Sequence, residues 1–237
     1  MKRIEKMDTH IIAMGGGGFS MEPDNLLIDE YILAQTGKDR PKICFLPTAS
    51  GDADGYIERF MRSFETLSCI PTYLSLYKPP RSLESFVMEQ DIIYVGGGNT
   101  KNLLALWKEW GLDAILYRAW KKGIVLAGLS AGSICWFEEG LTDSFPDKIS
   151  PITCLGFLRG SHCPHYDGEE ARRPAFHHYL KAGTLKEGIA ADDGVALHYI
   201  NGKLENIISS RINTSAYSLI LKDGQVREER LNPQFLG

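Results

Sequence analysis

Hydrophobic positions along this chain follow two rhythms. Short runs such as His10-Ile11-Ile12-Ala13-Met14 and Lys42-Ile43-Cys44-Phe45-Leu46 are apolar at nearly every position, the pattern of strands covered on both faces. Between such runs apolar residues recur at helical spacing among polar ones. The first half predicts strands over His10–Met14, Lys42–Leu46, Pro71–Ser75, Asp91–Val95 and Ile124–Ala127. Helices are predicted near Asn25–Thr36, Asp54–Leu67, Thr100–Trp107 and Asp113–Lys121. Strands alternating with helices imply an α/β fold, a mostly parallel sheet flanked by helices in three layers.

Beyond Gly140 the alternation loosens. Pro146, Pro151, Pro164 and Pro174 punctuate a stretch that reads as loop-rich and ends in a helix near Arg172–Ala182. Asn201-Gly202 between apolar runs signals a two-residue β-hairpin, and Lys222-Asp223-Gly224-Gln225 suggests a second, so C-terminal hairpins are expected. No internal repeat, low-complexity tract or linker interrupts the chain, which predicts one domain over residues 1–237.

Composition changes this picture little. Hydrophobic residues at 43% and charged residues at 24% are ordinary for a soluble globular chain of 237 residues. A formal charge of −4 without a basic stripe argues against a nucleic-acid partner. The apolar run before Gly15 is too short for a signal peptide or a membrane span, so a cytoplasmic protein is expected. The cysteines, 5 in number and without a Cys-x-x-Cys pair, suit reduced thiols rather than a disulfide framework.

Candidate chemistry centres on Gly128-Leu129-Ser130-Ala131-Gly132, which follows the predicted strand Ile124–Ala127 and leads into a helical pattern. Gly-x-Ser-x-Gly between strand and helix is the nucleophile-elbow arrangement, with glycines where larger side chains would collide. The same serine would also fit a helix N-cap. As a nucleophile, Ser130 would stand where the unpaired Ala131 N–H can receive an oxyanion. A second donor is available at Gly96-Gly97-Gly98-Asn99-Thr100, at the carboxyl end of another predicted strand, where open α/β sheets bind ligands. Its glycines let backbone approach a substrate, and Gly97 or Gly98 is the candidate donor. The chain lacks Gly-x-Gly-x-x-Gly and a Walker lysine, which disfavours phosphate binding. A serine nucleophile needs a base, and histidine suits neutral pH. Spacing leaves His162, His165, His177, His178 and His198 open, with His10 assigned to strand structure. His162-Cys163-x-His165 lacks a second half for a metal site.

The elbow, the Val95-Gly96-Gly97-Gly98-Asn99-Thr100 loop and Pro164-His165-Tyr166, in that order, resemble peptidase E, the aspartyl dipeptidase family of serine peptidases (family S51). That resemblance covers most of the chain and implies a flavodoxin-like, class I glutamine amidotransferase-like fold. It implies Ser130 as nucleophile, His165 as general base, and an oxyanion hole from Gly97, Gly98 and Ala131. The third member falls on Asp192-Asp193-Gly194, with Asp193 favoured over Asp192. Asp143 or Asp147 in that role would instead give the acid a place before the histidine, as in the α/β-hydrolases. The resemblance further implies short peptides with an N-terminal aspartate as substrates, no metal or organic cofactor, and a monomer or homodimer. Asn99, Arg172 and Arg173 are the candidate substrate-binding residues, the arginines as a guanidinium fork for a carboxylate. The Met14-Gly15-Gly16-Gly17-Gly18-Phe19-Ser20 loop and the C-terminal hairpins depart from the compact family pattern. A cyanophycinase-like hydrolase of β-Asp-Arg peptides and a non-catalytic small-anion binding module are the alternatives. A glutamine amidotransferase is disfavoured, because its elbow needs a cysteine and Cys135 lies about one turn past the bend.

Overall fold

A computed structural model describes residues 7–146 and 148–237. Residues 1–6 of the amino-terminal stretch, and Asp147 as an alternative acid, lie outside the described residues. Five parallel strands come first: β1 (His10–Met14), β2 (Lys42–Leu46), β3 (Ile70–Tyr73), β4 (Ile92–Val95) and β5 (Val125–Leu129), in spatial order β1-β5-β4-β2-β3. The chain then builds β6 (Phe137–Phe145), β7 (Lys148–Thr153), β8 (Leu158–Cys163) and β9 (Gly188–Ala191) in a second sheet. It returns to the first with β10 (Val195–Ile200), antiparallel to β1, and β11 (Lys203–Ser209). The second sheet is completed by β12 (Ala216–Lys222) and β13 (Gln225–Leu231), and the short β14 (Gln234–Phe235) edges the first.

Side chains alternate along the parallel strands and so feed two cores. Ile12, Met14, Phe45, Tyr94 and Ala127 pack with α1 (Gly18–Met21), α2 (Leu27–Ala34) and α3 (Asp54–Glu65) through Phe19, Ile32, Phe60 and Phe64. Ile11, Ala13, Leu46, Val95 and Leu126 face the other way. There they meet α4 (Leu83–Met88), α5 (Thr100–Glu109) and α6 (Leu112–Lys121), together with Trp136, Leu158 and Ile189 of the second sheet and its approaches. A one-turn α7 (Ala131–Ile134) follows β5, and α8 (Arg172–Lys181) packs on the second sheet through Phe176 and Leu180.

Both hairpins form where expected. Asn201 and Gly202 have φ of 53° and 78°, and Asp223 and Gly224 have 53° and 72°, the paired positive values of type I′ turns. The stretch read as loop-rich instead holds three strands. Its prolines misled because Pro151 lies on β7, an edge strand, where a missing N–H removes no ladder bond. Among the described residues, no helix is long and apolar enough to cross a membrane.

One buried charge ties the amino-terminal loop to this core. Asp29 accepts hydrogen bonds from the Phe19 N–H at 2.8 Å and the Tyr94 hydroxyl at 3.1 Å. Burial pushes its carboxyl up to about 7. The folded value therefore lies above the unfolded one, and the protonated form's contribution is complete below the unfolded value of about 3.9 and lost as pH rises through 7. Asp29→Asn keeps an acceptor for Phe19, and the Tyr94 hydroxyl can turn to receive the new amide. It is expected to melt above wild type near about pH 8 and to lose that advantage toward about pH 4. Thermal unfolding across pH checks this, and parallel curves would refute it.

Candidate active site

The elbow is built by steric exclusion. Ser130, at the end of β5, has φ 54° and ψ −118°, a conformation that costs a non-glycine residue about 1–3 kcal/mol and persists only where its surroundings impose it. A β-carbon at Gly128 would collide with the Gly132 carbonyl, and one at Gly132 with the Val95 carbonyl. The Ser130 N–H donates to Met14 O at 3.3 Å, and its side chain makes no capping bond to α7. The hydroxyl is thus free of the N-cap role its position would allow. Ala131 opens α7, so its N–H has no acceptor within the helix. Because α7 is a single turn, the local amide matters here rather than a long helix dipole. Cys135 closes that turn with its thiol on Gly132 O, and burial holds the thiol well above its ordinary value.

The histidine and its partner are assembled by the glycine loop after β1. His165 also has a positive φ, 52°, and its N–H donates to Gly15 O at 3.2 Å. Its Nδ1 lies 2.6 Å from Asp193 Oδ1, with the two side chains 14% and 11% exposed. Nδ1–H donating to the carboxylate leaves Nε2 as the basic nitrogen. Gly16 forms the floor beneath both: a β-carbon there would strike Asp193 Oδ1 and stand 2.9 Å from the imidazole. The Gly194 N–H donates to Gly16 O, and the Asp193 N–H to Asp167 Oδ1 at 2.8 Å, which pins the turn. The Gly15-Gly16 stretch of the amino-terminal glycine loop therefore borders the candidate site.

Asp192, the neighbouring candidate, points away. Its Oδ2 accepts the Ser215 N–H at 2.9 Å and the Tyr217 hydroxyl at 3.4 Å, while Oδ1 is buried without a partner among the described residues. Burial, helped by the nearby Asp167 charge, pushes its carboxyl up to about 6.

Ser130 and His165 line one cleft of about 280 Å³ at the carboxyl rim of the sheet, with Gly97 and Leu129 beside them. Ser20 and Met21 of α1 and Tyr56 and Arg59 of α3 complete its lining. A β-carbon on Gly97 would lie 3.3 Å from Ser130 Cβ, so the glycine loop after β4 borders the hydroxyl. No hydrogen bond joins Ser130 Oγ to the His165 ring, although both side chains line the same cleft. A larger hollow of about 460 Å³ opens elsewhere, between Asp52, Tyr73, Tyr77 and Phe86, without the serine or the histidine.

Other candidates are committed elsewhere. The Asn99 side chain caps α5 by accepting the Asn102 N–H at 2.9 Å. Arg172 is 2% exposed, with its guanidinium donating to Leu141 O and Glu169. Its pairing to Asp143 at 3.8 Å also places that alternative acid away from His165. Arg173 stacks over Tyr166 and Tyr217 and pairs with Glu228 at 2.9 Å, behind the Asp192 turn. His162 is fully buried between Ile189 O and Ser133 Oγ, and burial lowers it to about 3, so its ring is neutral. His177 pairs with Glu228, His178 is exposed, and His198 bonds His10 of the neighbouring strand β1 and Tyr31 of α2. Sequence reasoning missed Gly16, Tyr56 and Arg59. The glycine run was a visible signal for the first; the other two lie on an amphipathic helix that marks no active-site residue.

A bent serine beside a histidine–carboxylate pair, at the rim of a helix-flanked parallel sheet, fits a serine-type peptidase, and the relatives place the chain in that class. Residues 11–207 match peptidase family S51, and the chain belongs to that family. It is 60% identical over 228 residues to the uncharacterized peptidase YgaJ of Bacillus subtilis, covering 96% of this chain and 99% of the relative. Two solved structures share the fold. One is a peptidase from an acI-B1 actinobacterium (TM-score 0.69, 16% identity, 96% of each chain). The other is a putative peptidase E protein from Listeria monocytogenes (TM-score 0.61, 17% identity, 95% of this chain and 100% of the other).

Proposed function

We propose that this peptidase removes N-terminal aspartate from short peptides through Ser130, His165 and Asp193. The 2.6 Å pairing of His165 with Asp193, with His165 and Ser130 lining one cleft, carries this reading. Ser130 Oγ attacks the peptide carbonyl as its proton passes to His165 Nε2. The carbonyl π pair moves onto oxygen, where the Ala131 N–H receives the charge beside the Gly97-Gly98 loop. Collapse breaks the C–N bond, and the leaving amine takes the proton from His165. Water, deprotonated by the same ring, then attacks the acyl carbon, and the bond from that carbon to Ser130 Oγ breaks as Oγ takes the proton back from His165. Asp193 holds the imidazole in the required tautomer and stabilises its cation. The small volume suits a short peptide.

Arg59 takes over the role expected of Arg172 and Arg173 in this reading. Among the described residues it is the only arginine lining the cleft, and only one of its nitrogens is engaged, Nη1 on Ser20 O at 3.0 Å. The remaining donors suit the aspartate side-chain carboxylate. Hydrogen bonds to charged groups are worth about 1.5–3 kcal/mol. Arg59→Met is therefore expected to weaken kcat/KM on Asp-Leu by roughly ten- to hundredfold, and to spare dipeptides with a neutral first residue. A panel varying the first residue, with β-Asp-Arg included, tests this on wild type, Arg59→Met and Ser130→Ala. Equal turnover of Asp-Leu and Ala-Leu by wild type would overturn the aspartate preference, and preferred turnover of β-Asp-Arg would favour the cyanophycinase-like alternative.

A further inference from the structure

The geometry points to Tyr56 as a donor in the oxyanion hole, relaying the Gly97 amide to the reacting carbonyl. The inference rests on the hydrolytic reading of the cleft above. The Gly97 N–H, expected to meet substrate directly, instead donates to Tyr56 Oη at 3.1 Å. That bond, with the Ser20 side chain as a second hydrogen-bonding neighbour, occupies the phenol oxygen as an acceptor, so the phenol's own hydrogen is the group left to donate. Tyr56, Gly97, Ser130 and His165 line the same cleft, so a hydrogen directed into it meets the carbonyl that Ser130 attacks.

Two further observations support a donor role. The ring is held in place before substrate arrives, stacked on Phe19 at 5.6 Å between centroids and set edge-on to Phe45 at 5.1 Å. A donor fixed in advance needs no reorganisation when charge develops. Burial also raises the hydroxyl above its ordinary value, so at neutral pH it is a phenol with a proton to offer. An amide donating into that hydroxyl polarises it, which strengthens its onward bond.

The chemistry adds no new bond change. As the Ser130 Oγ–carbon bond forms and its proton moves to His165, the π pair placed on the carbonyl oxygen is met by Tyr56 O–H and by the Ala131 N–H. On collapse the pair returns to the carbonyl and Tyr56 keeps its proton.

Tyr56→Phe tests this with the ring stack retained. Loss of one such donor is expected to lower kcat about a hundredfold with KM little changed. A peptide aldehyde, which forms a tetrahedral adduct on Ser130, should bind more weakly by a similar factor, while a product amino acid binds as before. A purely structural role would lower the melting temperature and weaken both ligands alike. A kcat within about twofold of wild type would overturn the proposal, since the freed Gly97 amide would then be serving the oxyanion itself. Ser130→Ala assayed alongside separates the failures: activity in that variant defeats the hydrolytic reading, whereas an inactive Ser130→Ala with an unimpaired Tyr56→Phe defeats this inference alone.

Discussion

Ser130→Ala is expected to remove peptide hydrolysis, with kcat falling by about 10⁴-fold or more, while the protein melts within a degree or so of wild type. The two halves of that expectation have separate causes. Catalysis fails because the other hydroxyls lining the cleft, Ser20 and Tyr56, stand on α1 and α3 away from the elbow, and Cys135 is buried past the bend with its thiol held protonated. Stability is kept because the serine side chain makes no capping bond, and alanine meets the same positive φ with the same β-carbon. The bend is imposed by Gly128 and Gly132, which the substitution leaves alone. Ser130→Gly would relieve the φ of 54° and should raise the melting temperature, as strain stored at a functional residue predicts. Dipeptide hydrolysis and thermal unfolding of both variants provide the check. Measurable turnover by purified Ser130→Ala would remove the serine mechanism.

What could be seen in the sequence follows from where the physics is local. His10–Met14 and Lys42–Leu46 were legible to the residue because a strand covered on both faces is apolar throughout. The elbow was legible because its glycines answer clashes within a few residues. Residues 137–163 were not, since β6, β7 and β8 form a second sheet whose faces are only partly covered, which blurs their alternation. His165 was one of five histidines by spacing, and only resemblance singled it out. The structure gives a physical reason for its distinction: Gly15 and Gly16, far back in the chain, hold its backbone and floor its ring.

The arginines show the same limit. Arg172 and Arg173 follow His165 closely, yet α8 turns one into the second sheet's core and the other onto two tyrosines. Arg59 and Tyr56 reach the cleft only because α3 docks on the parallel sheet through Phe60 and Phe64. A helical pattern in sequence gives the apolar face, not what its flank will overlook.

Asp193→Asn and Asp192→Asn should part company by orders of magnitude, although the residues are adjacent. Asp193 Oδ1 is the hydrogen-bond partner of His165 Nδ1, so an amide there can donate to that nitrogen and favour the tautomer with its proton on Nε2, which cannot accept from Ser130. A comparable replacement in a serine protease lowers kcat by about 10⁴-fold, and a loss of that order is expected. Raising pH should not restore it, because the defect is the site of the proton rather than its presence. Asp192 faces Ser215 and Tyr217 instead, and its folded carboxyl is raised to about 6, above the unfolded value. Its protonated form stabilises the fold at low pH, and that contribution is lost as pH rises through 6. Removing the charge in Asp192→Asn should therefore leave kcat close to wild type and raise the melting temperature above pH 6. Initial rates and melting curves of the two variants in the same buffers decide it. An inactive Asp192→Asn beside an active Asp193→Asn would move the acid of the triad to the other side of the turn.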